Sequence, residues 1–273
     1  MFAGSNVVAF CTYFGTFSIF FFVALYLEEV GSTSPYGLAL DFVPMCIGMI
    51  GASLVADRWV ARSGPRIPMT VGCLLAGAGI LLTDWVLTPT SGLSTLGWSL
   101  PLAGIGFGIV VVPVTSAALS SIPAEHSGMA ASMTNTSREL GAVAGVAVLG
   151  SLVNGVLVTD LVHRLNALGI PKEFQNQVVV AVTTGTFNDQ SGAAAKADPG
   201  LAAMIHEVTT ATWGAFSTGV DWSLAVAGAL MLACAFVAAS TMRGDALSAR
   251  QALAGAETEP VGEGADDGSV SVS

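Results

Sequence analysis

The chain has 273 residues, 53% of them apolar and 10% charged, with a formal net charge of −10. Soluble domains carry about 25% charged residues, and a mean hydropathy of +0.72 is more apolar surface than a chain this size can hide in its own core, which excludes a water-soluble globular protein. The charge balance also excludes a nucleic-acid partner, because no basic patch is present and five of the nineteen acids (Glu257, Glu259, Glu263, Asp266, Asp267) fall in the last 17 residues.

Six apolar runs have the length of about 20 residues that crosses the hydrocarbon of a bilayer. They lie at about 6–27, 36–56, 67–87, 96–119, 130–156 and 220–241. Backbone polar groups in lipid must be satisfied within the segment, so these runs predict helices; a barrel would show short alternating strands instead. The expected fold is an all-α integral membrane protein with six transmembrane helices. Its expected parts are the first five helices in 1–157, a long extracytoplasmic loop with short helices in 158–219, the sixth helix in 220–242, and a disordered acidic cytoplasmic tail in 243–273.

Taken in chain order, the first run lacks a basic lead and is too long for a secretory signal. The second follows a short acidic link and carries Asp41 about five residues in and Pro44 just after. The connector at 57–66 carries Arg58, Arg62 and Arg66 around Asp57, with Gly64 and Pro65 making the turn. The third run ends near Asp84. The fourth holds Gly104, Gly108 and Pro113. The fifth has a polar start with Asn135, Arg138 and Glu139, then Gly141 and Gly145. The region 158–219 is polar and rich in Gly and Ala, with helical character around 160–168 and 201–216 and a flexible look at 192–200. Asp221 opens the sixth run, and Arg243 and Arg250 follow it. The cysteines (Cys11, Cys46, Cys73, Cys234) lie inside apolar runs without a C-x-x-C pair and read as small packing residues.

Orientation follows from Lys and Arg in short loops. Arg58, Arg62 and Arg66 fall on the same side as Arg243, Arg250 and Met1, and the opposite short loops carry neither residue type. That side is expected to be cytoplasmic, with the 158–219 loop outside.

Several residues have two readings that the residues alone leave open. Asp57 within its arginines is either a state-dependent ionic latch, of the kind that forms in one conformation and breaks in another, or a simple positive-inside anchor. Gly104 with Gly108, and Gly141 with Gly145, are four apart and share a helix face, which permits close helix contact; Pro113 removes one helix hydrogen bond and allows a bend. These suit either rocking helices or static packing. Arg138 and Glu139 are membrane-embedded charges, which are costly and face a cavity or a partner, unless they snorkel to the interface. Being adjacent, they point about 100° apart. Asp41 is either a protonatable pathway residue or an outer-vestibule polar group. Asn135 starts a glycosylation sequon on the wrong side for modification. His126, His163 and His206 are scattered, so no metal, cofactor or catalytic constellation is expected.

The pattern G-x-x-x-x-x-D-R-x-x-x-R-x-G-x-R, here Gly51, Asp57, Arg58, Arg62, Gly64 and Arg66, resembles the loop signature that joins the second and third helices of a six-helix half in the major facilitator superfamily. This copy is two residues longer between the Asp and the Gly. The opening of the second run toward Pro44, the glycines and Pro113 of the fourth, and Gly128, Ala130, Asn135, Arg138, Leu140, Gly141, Gly145 and Ala147 of the fifth are similar to segments of the fourteen-helix drug:proton antiporters of that superfamily. The resemblance covers about residues 2–243 and implies the C-terminal half of such a transporter. It implies a small hydrophobic or cationic substrate and protons as partners, a plasma-membrane location, and a missing N-terminal half or a second copy. The first run starts almost at Met1, which favours a fragment reading. The alternative is a nontransporting scaffold or sensor that uses the long loop.

Overall fold

The computed structural model describes residues 2–30, 34–88, 93–183 and 199–241, and the side chains of all of these except 93, 94, 124 and 199–204. The expected tail at 243–273 and most of the stretch at 192–200 lie outside the described residues. Among the described residues the regular structure is helical: α1 (Phe2–Glu29), α2 (Pro35–Ser63), α3 (Arg66–Val86), α4 (Leu93–Leu96), α5 (Ser99–Ser120), a 3-10 turn (Ala124–His126), α6 (Ser127–Ala167), α7 (Lys172–Thr183) and α8 (Pro199–Thr241). Six of them, α1, α2, α3, α5, α6 and α8, are long and apolar enough to cross a membrane. The chain is a multi-pass membrane protein.

Helix ends are set by local chemistry. The Ser34 side chain accepts a hydrogen bond from the Gly37 N–H at 3.2 Å and caps α2, with Pro35 in the first turn where its missing N–H costs nothing. At the other end Gly64 takes φ +74°, a conformation glycine adopts without penalty, and its N–H closes on the Val60 carbonyl at 2.9 Å. The helix therefore runs seven residues past the expected boundary at 56, and Asp57, Arg58 and Arg62 sit on its last turns. The connector shrinks to Gly64 and Pro65, because nothing before Gly64 breaks a helix.

The six spanning helices form two reciprocal triplets. The first pairs with the fifth, the second with the fourth, the third with the sixth. Glycines mark the seams. A Cβ at Gly104 or Gly108 of α5 would overlap the carbonyl oxygens of Met45 or Met49 on α2, and one at Gly141 or Gly145 of α6 would meet those of Phe10 or Phe14 on α1. The rising residue numbers on both sides make these two pairs parallel. In the α3–α8 pair, Gly77 of α3 meets Leu232 and Gly228 of α8, while Gly228 meets Leu81 of α3; the residue numbers rise on one side as they fall on the other, so this pair runs antiparallel. The α5 helix also packs on α3, and α8 on α1 and α6. The main core fills between them with Phe22, Phe107, Ile19, Met45, Met69, Ile80, Leu149 and their neighbours. Cys11, Cys73 and Cys234 from three helices are buried within it, and Cys46 is exposed.

The fifth and sixth spans depart most from expectation. The fifth does not end near 156 but continues unbroken to Ala167, and the last helix begins at Pro199 rather than 220. At about 1.5 Å per residue the 41 residues of α6 extend roughly 62 Å, twice the hydrocarbon thickness. What allows this is a second, separate core. Leu157, Leu161 and Leu165 on α6 pack with Ile170 and with Val208, Ala211 and Ala215 on α8, flanked by Val178, Val179 and Val182 of α7. The turn between α6 and α7 is held by buried Gln175, whose Nε2 donates to Asn166 Oδ1 at 2.9 Å and to the Ile170 carbonyl at 2.7 Å. The described part of the polar region thus folds as a three-helix extension of the bundle.

Candidate functional site

Arg138 is where three helices meet. It rises from α6 one turn before Gly141, whose contact with the α1 backbone brings α1 and α6 together. Immediately before Arg138, the Ser137 hydroxyl donates to Asn6 Oδ1 across the same seam at 3.1 Å. Arg138 reaches past that seam. Its guanidinium carbon lies 5.5 Å from the centre of the Tyr13 ring on α1, within cation–π range. One terminal nitrogen donates to the Thr115 hydroxyl on α5 at 2.6 Å. Thr115 in turn donates to its own helix at the Val111 carbonyl, 2.9 Å away, so its oxygen is oriented to accept.

Arg138 keeps one binding capacity in reserve. Its Nε is buried and has no hydrogen-bond partner. A buried donor without a partner is costly, and a charge-assisted bond to a carboxylate or another acceptor would satisfy it. Around it the surface is apolar and aromatic: Tyr13 stacks with Phe17 at 6.1 Å between ring centres, and Phe17 and Phe21 are both half-exposed. Tyr13, Phe17 and Phe21 are spaced four apart on α1, so they form one stripe along one face. The arrangement offers a fixed cation at one end of an aromatic track on α1, beside Thr115 of α5.

The other expected residues are distributed around this junction. Glu139 and Asn135 are exposed on other faces of α6, so the two adjacent charges do not share the junction. Asp41 is buried in α2. Gly51 is exposed, with no atom within 4 Å of where a Cβ would sit. Asp57, Arg58 and Arg62 are exposed, and among the described residues Asp57 forms no ion pair. Arg66 is engaged elsewhere: its Nε donates to the Ala239 carbonyl at the end of α8, 3.0 Å away. Pro113 is buried inside α5. The described residues contain no cluster of His, Cys, Asp and Glu suited to a metal ion.

Sequence reasoning missed Tyr13, Thr115, Phe17 and Phe21. The four-residue spacing of the α1 aromatics was a readable signal; the Thr115–Arg138 contact was not, since it joins two helices. It also gave Asp84 no role, whereas one oxygen of Asp84 at the end of α3 is buried without a hydrogen-bond partner.

Residues 4–146, more than half of the chain, match the sequence profile of the Major Facilitator Superfamily. The chain belongs to this superfamily. The reciprocal pairing of its two helix triplets is the inverted three-plus-three repeat found within each half of a facilitator-type transporter. Among curated relatives, the multidrug resistance protein Stp of Mycobacterium tuberculosis is 26% identical over 68% of this chain and 34% of its own length. A puromycin resistance protein of Streptomyces alboniger is 31% identical over 58% of this chain and 32% of its own length. The multidrug efflux pump LfrA of Mycolicibacterium smegmatis is 27% identical over 89% of this chain and 46% of its own length. The chain therefore spans between about a third and a half of the relatives it matches.

Proposed function

We propose that this chain forms one half of a drug-type exporter of the facilitator superfamily, moving small hydrophobic or cationic compounds in exchange for protons rather than carrying out bond chemistry. The observation that carries this reading is the junction of Arg138 with Tyr13 and Thr115, where a part-buried cation with an unfilled donor sits beside an aromatic, half-exposed face. Such a surface suits flat apolar compounds, and the half-exposed rings of Phe17 and Phe21, farther along the stripe from the Arg138 charge, are the faces open to a cationic group. The printed names of the relatives, as resistance and efflux proteins, point the same way. The half is the C-terminal one, and it works with a further six-helix half or a second copy.

The ends carrying the α2–α3 connector, the start of α1 and the end of α8 lie together, as Arg66 meets Ala239 and Gly4 meets Thr241. We place that end in the cytoplasm of a plasma membrane, because the short-loop arginines lie there. The α6–α7–α8 extension is then extracytoplasmic. In this reading Asp57, Arg58, Arg62, Gly64 and Arg66 act as a gating segment, Asp41, Asn135 and Glu139 lie along or near the pathway, and the glycine seams with Pro113 let helices shift.

The test is efflux of a fluorescent cationic dye from everted vesicles that contain the chain. Dye movement above that of empty vesicles, abolished by a protonophore, is expected if the chain pairs with itself. If the chain is verified in the membrane and moves no dye, co-expression with an N-terminal half must restore movement. Failure of both rejects the exporter reading.

A further inference from the structure

The end of α2 presents an unmatched basic surface. Arg58 and Arg62 lie one turn apart on the same helix face, both exposed and without an ion pair among the described residues, and Arg66 follows across the Gly64–Pro65 turn. Asp57 is the one acidic residue among them, so the patch has three cations against one anion. The Arg66 side chain is bound to the last turns of α8 through the Ala239 carbonyl. That bond places the last turn of α8, and Thr241 at its end, beside Arg66, at the same end of the bundle as Arg58 and Arg62.

The nine residues that follow carry Arg243, Asp245 and Arg250, and beyond them the charge becomes complementary to the patch. From 251 to 273 the sequence contains Glu257, Glu259, Glu263, Asp266 and Asp267 and no Lys or Arg. Glu257 is 16 residues beyond Thr241, and a chain of that length reaches up to about 50 Å when extended, several times the width of a helix. We propose that the acidic segment 257–267 of this same chain docks on the Arg58–Arg62 face at the α2–α3 end of the bundle. Tethering makes this contact intramolecular, with an effective concentration in the millimolar range, so weak exposed ion pairs suffice where they would fail between separate molecules. The docked segment ties α2, α3 and α8 together at one end by charge alone, and salt releases it.

The test uses the full chain in lipid nanodiscs with Arg62→Lys, which keeps the charge and supplies an amine for carbodiimide coupling to a carboxylate. Peptide mapping is expected to find Lys at 62 joined to Glu257, Glu259 or Glu263 within one chain. The yield should fall at least about fivefold between about 0.05 and 1 M salt, as screening predicts. A reporter lysine at exposed Ser127, on the same end of the bundle but outside the patch, should couple at least about fivefold less. Equal coupling at both reporters, or none at position 62 while its amine reacts freely with an acylating reagent, overturns the proposal. Coupling that is absent in both phosphatidylcholine and phosphatidylglycerol discs, with the amine shielded only in the latter, assigns the patch to anionic lipid and also overturns it. Arg58→Lys carries the same reporter one turn earlier if Arg62→Lys does not reach the membrane.

Discussion

Arg138 holds three helices at one point, and each of its contacts has a separate physical origin. The Tyr13 ring offers its negative face, the Thr115 hydroxyl offers a lone pair, and the unfilled Nε offers a donor to something outside the described chain. Replacing Arg138 by Ala removes a charged hydrogen bond worth about 1.5–3 kcal/mol together with the cation–π contact. Efflux in an active assembly should fall about tenfold or more, whereas Arg250→Ala, in the acidic tail, should leave it within error; equal tolerance of the two changes rules out a role for Arg138 in the pathway. Arg138→Lys is expected to recover little, since a lysine ammonium lacks the flat fork that serves Tyr13 and Thr115 at once. The charge in the fifth span was evident from composition alone, because an arginine inside an apolar run needs a partner. Its partners were not, as Tyr13 and Thr115 become neighbours only when α1, α5 and α6 pack.

At the level of elements, glycines divide into those pressed against a backbone and those facing open space. Gly104 and Gly141 belong to the first kind; Gly51 and Gly150 have no atom within 4 Å of a Cβ. Gly104→Leu or Gly141→Leu forces helix seams apart at a cost of about 1–3 kcal/mol or more, and a lower thermal midpoint in detergent is expected for each. Gly51→Leu should unfold at the parent temperature; a loss matching that of Gly104→Leu contradicts the packing described. The sequence could not separate these classes, because a small-residue spacing reports a face but not whether a neighbour covers it. The same limit applies to helix lengths. The six spans were legible, since hydrocarbon thickness fixes a minimum apolar run. The far ends of α6 and α8 were not, because outside lipid a helix continues only if a partner buries its apolar stripe, and Leu157, Leu161 and Leu165 find theirs in α8.

For the whole molecule, the bundle and its extension are two cores on shared helices. The extension depends on the turn held by Gln175, so Gln175→Ala leaves the Ile170 carbonyl and Asn166 side chain without that donor and costs about 1–3 kcal/mol. Limited proteolysis within 168–183 should quicken several-fold in this variant while dye efflux and the melting of the spans stay near the parent values. Simultaneous loss of both would show that the two cores unfold as one. At the other end of the bundle, Arg58 and Arg62 of α2 and Arg66 of α3 make a basic face, and the proposed docking of the 257–267 acids makes its state depend on ionic strength.

The unbroken run of α6 has a mechanical meaning. Its base carries Arg138 and the α1 seam, and its far end carries α7, with one continuous rod between them. From Arg138 to Ala167 the rod runs roughly 44 Å, so a pivot of about 10° at that junction swings its tip by about 8 Å. A small rotation at the Arg138 junction would thus be magnified into a larger sweep at the α7 end of the same helix.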